Sequence, residues 1–237
     1  MSMTFQSLFD TYYTLYRGDS TSPATTDPEW KIAIRNYNDA LRRLANYDNT
    51  KWDFLTTTLA ASTQSSPALV KTLTTGDSTY VAPTDMHSEP GIFSYIDTNG
   101  NRLNYGIVKP YEVPAIDSNT KYGYFLGDQQ AGYTLNVNPA PTDTENGWTL
   151  DYIYYRKPTE LNADTEDGTS VIEGGDPAFY YNHMLAQRFR NSRNYPSYQT
   201  ALRDSEEALK GMKLQNNSGS FYNAWSLNDT SGTSWGN

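Results

Sequence analysis

The stretch from Trp148 to Met212 sets the strongest constraint on how this chain can fold. It opens on Trp148 to Tyr155, whose density of aromatic and β-branched residues suits a half-buried strand. Arg156-Lys157-Pro158 then forms a basic-proline corner. Beyond it, the loop from Thr159 to Asp176 carries Glu160, Asp164, Glu166, Asp167, Glu173 and Asp176 without a Lys or Arg. Two helical patterns follow. A sheet therefore hands the chain over to a helical layer at this corner, and the rest of the sequence must supply partners for both.

The helical partners lie at the other end of the chain. From Thr4 to Tyr16, the residues Phe5, Leu8, Phe9, Tyr12, Leu15 and Tyr16 recur at helical spacing, with Thr4 as N-cap. Gly18 and a Ser/Thr/Pro-rich stretch end that helix. A second starts with Asp27 as N-cap and Pro28 in the first position, and carries Trp30, Ile34, Tyr37, Leu41 and Leu44 as one stripe. It ends between Asn46 and Asn49. After the acidic loop, Asp176 and Pro177 repeat the same start signal, with Tyr181, Met184, Leu185 and Phe189 as the stripe. The last helix begins at Tyr195-Pro196 and places Tyr198, Leu202, Ser205, Leu209 and Met212 on one face. A short loop joins these two helices into an antiparallel αα-hairpin.

Between the helical ends the pattern turns to strands. Phe54 to Ala60, Lys71 to Thr75 and Ser78 to Val81 are extended, and Val81 to Met86 is a turn that leads on to His87. Ile92–Ile96 and Arg102–Val108 flank Asn99-Gly100, a pair suited to a type I′ hairpin turn with positive φ at both central residues. Tyr122–Leu126, Tyr133–Val137 and Trp148–Tyr155 complete the strands. The expected fold is α+β: two N-terminal helices and the C-terminal αα-hairpin form a helical bundle, with an antiparallel β-rich insertion and an extended C-terminal tail. The expected divisions are residues 1–51, 52–158, 159–213 and 214–237.

Hydrophobic residues make up only 37% of the chain, which twenty tyrosines, eight phenylalanines and five tryptophans offset. Each buried aromatic removes roughly 150–250 Å² from water, about 4–6 kcal/mol at about 25 cal/mol per Å². There is no cysteine, which excludes disulfides and thiolate metal sites. No apolar run approaches the roughly 18 residues of a membrane span, and the N-terminus has no signal-peptide pattern, so a soluble chain with no membrane partner is expected. A net charge of −9 argues against gripping a phosphate backbone over the whole surface.

Chemistry is sparse. His87 and His183 are the two histidines, and a lone helical His is more often packed than catalytic. No HExxH, GxSxG, GxxxxGK or GxGxxG pattern occurs. Asp164 to Gly168 lacks the alternating oxygen ligands and closing Glu of a calcium loop, so the acidic loop reads as a solvated, flexible connection. No catalytic residue, metal site or cofactor is expected. Arg188, Arg190 and Arg193, with Arg203, suit pairing with the acidic loop or with a neighbouring subunit as well as they suit nucleic acid, and Arg156 and Lys157 mark a seam. After Lys213 the chain is Asn/Ser/Gly/Thr-rich, with Phe221, Tyr222, Trp225 and Trp235 spaced along it. It is either a disordered end or a set of anchors for another surface.

The order of parts resembles the head-to-tail adaptor, or connector, proteins of tailed bacteriophages. The residues that carry the resemblance are Trp52-Asp-Phe-Leu55 read as a strand, the turn Tyr80-Val-Ala-Pro-Thr-Asp85, and the corner Tyr154-Tyr-Arg-Lys-Pro-Thr-Glu-Leu161. Ala82-Pro-Thr-Asp-Met86 stands where the family often has Leu-Pro-x-Asp-Phe. The resemblance implies a structural virion protein of the neck, without catalysis, assembled in the host cytoplasm into a ring (dodecameric) beneath the portal protein. The ring would meet the tail or a head-closure or nozzle protein, and DNA would pass through its lumen without sequence-specific binding. It also implies that the tail bearing Phe221, Tyr222, Trp225 and Trp235 docks along the portal. Two other readings draw on composition alone: a carbohydrate- or receptor-binding tail component from the abundance of aromatics, and a glycan hydrolase from the abundance of carboxylates.

Overall fold

Thr4 begins the first helix as its spacing predicts: its hydroxyl accepts from the Ser7 N–H (3.4 Å), and α1 runs Phe5–Arg17. Gly18 ends it at φ +72°, where its N–H reaches the Thr14 carbonyl (2.8 Å). The computed structural model describes residues 3–18, 23–64, 67–113, 116, 120–128 and 130–218. The described fold is α+β, and the chain divides into two units. Met1–Phe54 with Pro158–Asn237 is the helical unit, and Leu55–Lys157 is the β unit.

In the helical unit, α2 (Pro28–Ala45) is capped by Asp27, whose carboxylate accepts from the Glu29 N–H (2.7 Å). All five stripe residues of α2 are buried. α3 (Pro177–Asn191) and α4 (Tyr195–Ser218) form the hairpin, and α3 packs on α1, α2 and α4. The core is aromatic: Phe5 and Phe9 set their edges against Trp30 at 5.0 and 4.7 Å, and Tyr37 meets Tyr180 at 5.2 Å. On α3 the buried face is Phe179, Tyr180, His183, Met184 and Ala186 with Leu185, so the stripe is rotated from the expected one and Tyr181 is only half-buried. α4 continues past Lys213 to Ser218, because Leu214 to Asn217 contain no helix breaker.

The acidic loop is not the free connection its composition suggests. It runs along α2: Arg42 grips Glu160 through two hydrogen bonds (2.7 and 2.6 Å), and Asn38 exchanges bonds with the Leu161 backbone (2.9 and 3.0 Å). Lys31 meets Asp164 (2.7 Å), and the Trp30 indole N–H donates to the Glu166 carbonyl (3.2 Å). The loop then passes α1, where Thr4 and Val171 form a bridge and the Phe5 N–H reaches the Ser170 carbonyl (2.8 Å). Glu160 and Asp164 find their cations on α2, which a count of charges along the loop itself does not reveal, while Glu166, Asp167 and Glu173 accept from groups within the loop.

In the β unit the strands are β1 (Thr56–Thr58), β2 (Thr79–Val81), β3 (Met86–Ser88), β4 (Ile92–Ile96), β5 (Arg102–Gly106), β6 (Tyr122–Asp128), β7 (Gly132–Asn138), β8 (Thr149–Asp151) and β9 (Ile153–Arg156). They form three antiparallel three-stranded sheets, in the orders β1-β9-β3, β2-β7-β6 and β5-β4-β8. The expected strand from Trp148 to Tyr155 is split at Tyr152: β8 pairs with β4, while β9 pairs with β1 and β3. Buried Phe93, Tyr95, Phe125, Leu135, Leu150 and Tyr152 lie in one shared core.

Several local expectations are corrected. Trp52 to Leu55 is not a strand: Asp53–Leu55 is a 3-10 turn. Lys71 to Thr75 contributes an isolated bridge from Thr72 to Thr149 rather than a strand. His87 lies in β3 rather than in a turn, with its ring 5.5 Å from that of Tyr155. The Asn99-Gly100 hairpin forms, but only Gly100 has positive φ (+86°). The Asp97 carboxylate holds the wider loop by accepting from the Asn99 and Asn101 N–H groups, both at 2.8 Å.

Candidate functional site

Each of the cations marked in the sequence has a definite position. On α3, Arg188 is the most enclosed. It donates to Glu29 Oε2 (2.8 Å), while the Tyr12 hydroxyl donates to Glu29 Oε1 (3.1 Å). The Arg188 guanidinium also lies over the Tyr16 ring, 5.1 Å from its centre. Burial, reinforced by the Glu29 charge, raises the Tyr12 pKa far above the phenol range, so Tyr12 remains a donor. This cluster ties α1, α2 and α3 together inside one chain. Arg190 is exposed near the end of α3, and Arg193 is exposed in the turn before α4 at φ +59°.

Arg156 and Lys157 belong to the β unit. Lys157 donates its backbone N–H to the Asp85 carbonyl (2.6 Å). Arg156 lines a polar cleft with Thr57, Gln64, Thr84, Asp85 and Tyr154. There the Tyr154 hydroxyl donates to Asp85 Oδ1 (3.0 Å), and the Thr84 N–H and hydroxyl both donate to Gln64 Oε1. The Tyr154 pKa is raised by burial and by Asp85, so its proton is held in this bond. The four tail residues Phe221, Tyr222, Trp225 and Trp235 lie outside the described residues.

His183 is 1% exposed, with Nε2 2.9 Å from Asp39 Oδ2. Burial lowers its pKa below the usual imidazole value, against the opposite pull of Asp39. This is a packed histidine between α3 and α2. Among the described residues, no group of three or more His, Cys, Asp and Glu side chains is placed to hold a metal ion.

Aromatic abundance, the observation behind a sugar-binding reading, is largely absorbed by packing: Trp30, Trp52, Tyr12, Tyr37, Tyr95 and Tyr180 are all fully buried. Within the β unit, Tyr95 also carries Lys121 over its ring at 4.8 Å, and Lys121 in turn pairs with the mostly buried Glu145. Burial pushes the Glu145 pKa up, but its bonds from Lys121 and Thr142 outweigh this and leave it below the ordinary carboxylate value. These groups hold the fold together.

The helical unit also has an open surface. A groove of about 420 Å³ lies among α1, α3 and α4, lined by the apolar Leu15, Leu185, Phe189, Pro196 and Ala201 and by the polar Asn182, Ser197, Thr200 and Asp204. Its volume falls within the range of ligand-binding clefts, roughly 300–1,000 Å³. Leu15 is 55% exposed, unlike the other apolar residues of the α1 face. The expected stripe of α1 includes Leu15, but the structure leaves it outside the core. The groove could not be read from the sequence, because its walls come from three helices distant along the chain.

Comparison with known proteins gives a match between residues 3–226 and the family model described as SU10 adaptor protein. A search of curated proteins gives no match.

Proposed function

The chain belongs to the SU10 adaptor protein family, so it is a phage structural adaptor, and from that premise we propose that copies of it assemble into a ring beneath the portal protein. The ring, dodecameric in this reading, joins the portal to the tail or to the next head-closure or nozzle protein, and continues the channel for DNA. The observation that carries the proposal is the span of the match: residues 3–226 include both units and extend past the end of α4. Adaptor character therefore belongs to the whole described chain rather than to one module.

The family implies a place in the virion neck and a structural rather than catalytic role. A net charge of −9 suits a wall past which DNA must slide, since a basic lumen would bind and slow it. The exposed Arg190 and Arg193 are available for contacts between subunits. Many weak contacts repeated around a ring add up to a stable joint.

The test is native mass measurement and negative-stain imaging of the purified protein mixed with its portal. Rings stacked on the portal are the expected result. A monomer that ignores the portal and binds glycans would overturn the reading.

A further inference from the structure

The groove among α1, α3 and α4 has no occupant among the described residues, and the same chain carries aromatics in its sequence beyond α4. Residues 219–237 contain Phe221, Tyr222, Trp225, Leu227 and Trp235, a single acid in Asp229, and no base. The Phe221–Trp225 stretch carries no charge, so its aromatics can be buried without desolvating an ionic side chain of their own.

Reach decides which copy supplies the segment. α4 ends at Ser218, and its last turns are fixed: Asn216 donates to the Lys51 carbonyl (2.9 Å) and accepts from the Asp53 N–H (2.9 Å). The groove lies at the opposite end of α4, at Thr200 to Asp204. At about 1.5 Å per residue, Ser218 is about 27 Å from Thr200 and about 21 Å from Asp204. A fully extended chain spans at most about 3.5 Å per residue, so Phe221 and Tyr222 reach only about 10–14 Å beyond Ser218. Trp225 reaches about 25 Å, and only if drawn straight back along its own helix. Phe221 and Tyr222 therefore fall short of the groove in their own chain, and Trp225 attains no more than its Asp204 end.

We propose that the groove of Leu15, Leu185, Phe189 and Ala201 receives the Phe221–Trp225 segment of a second copy of this chain. This rests on the ring-forming reading, since it requires copies side by side, and it gives that ring a strap from each subunit to the next. Self-contact also differs from the portal docking that the resemblance implies, and the two can be separated.

The natural chain has no cysteine, so introduced thiols report proximity cleanly. Full-length Thr200→Cys and Ala224→Cys chains are mixed and oxidised, alone and on the portal. The expected product is a disulfide-linked species of twice the chain mass, reduced at least fivefold when Leu15→Glu is added to the Thr200→Cys chain. As a control, Lys210→Cys, exposed on α4 outside the groove, should give little product. Equal yield from Lys210→Cys, no loss with Leu15→Glu, or an adduct formed by Ala224→Cys with the portal in place of the second copy would each overturn the proposal. Rings on the portal without the cross-link would overturn this inference alone. Absence of both rings and cross-link would overturn the ring reading with it.

Discussion

In the helical unit, residues more than a hundred positions apart meet directly: Glu29 with Arg188, Asn38 with Leu161, Lys213 with Asp48. The β unit draws all three of its sheets from one continuous segment, Leu55–Lys157. The helical unit therefore cannot complete its core until both ends of the chain are present, whereas the β unit contains everything its core needs. Their polar interiors differ in the same way. The buried charge of the helical unit joins three helices, while Lys121 and Glu145 lie 24 residues apart within the β unit. Buried ionic groups of the first kind tie distant segments to a single arrangement, and removing one partner leaves the other charge stranded.

The largest effect that could break this comparison comes from a core deletion in each unit. Trp30→Ala and Phe93→Ala should each cost about 3–5 kcal/mol by urea denaturation. Hydrogen exchange should then show protection lost from α1 to α4 in the first variant and from β4 to β8 in the second. Loss of protection across both units in either variant would mean that they unfold as one cooperative body.

Next in size, Arg188→Met should cost about 3 kcal/mol by leaving Glu29 unpaired. Adding Glu29→Gln should restore part of that stability. If Arg188→Met is neutral, the buried pair does not hold the helical unit together. Smaller again are two crowded glycines, one in each unit. A Cβ on Gly123 would lie 2.8 Å from the Phe93 ring, and one on Gly168 would lie 2.9 Å from Gln6 Oε1 at φ +92°. Gly123→Ala and Gly168→Ala should each cost about 1–3 kcal/mol. Gly168→Ala should also loosen the acidic loop, read as faster exchange at Gln6 and Phe5.

The smallest effect concerns pH. Folded His183 binds its proton more weakly than the unfolded chain does, because burial lowers its pKa. The unfolded state therefore takes up more protons as pH falls through the ordinary imidazole value of about 6.5, and stability drops in that window. Melting temperature should decline between about pH 7 and 5 in the natural chain, and more shallowly in His183→Gln. An unchanged slope would show that other groups govern acid sensitivity there.

The helical unit was largely legible in its sequence because its signals are local and redundant. Asp27-Pro28 and Asp176-Pro177 mark starts, and a stripe such as Trp30, Ile34, Tyr37, Leu41 and Leu44 persists over four turns. The β unit was legible where a hairpin has its own turn, as at Asn99-Gly100. The extended reading of Phe54 to Ala60 is met by β1 at Thr56–Thr58, but Met86–Ser88 was not legible, a three-residue strand that exists because β9 lies beside it. Too short to establish a period, such strands are specified by their partners. The acidic loop was misread for a related reason: Lys31, Asn38 and Arg42, which bind it, lie on a helix more than a hundred residues earlier. The groove combines Leu15 with α3 and α4, a grouping that only the packed helices create.

The pairing of β1 with β9 has a further effect on the chain as a polymer. Thr56 lies opposite Tyr155 and Thr58 opposite Ile153, on strands about 5 Å apart. Once that short ladder forms, the two ends of the β unit lie side by side, and the detour between behaves as a tight turn. Closing a loop of about a hundred residues rather than about four differs by about 3 kcal/mol in chain entropy, and that difference is absorbed where the two strands zip together. The detour is thus a topological cassette: its contents can lengthen, shorten or be exchanged while the gap the helices must bridge stays the same.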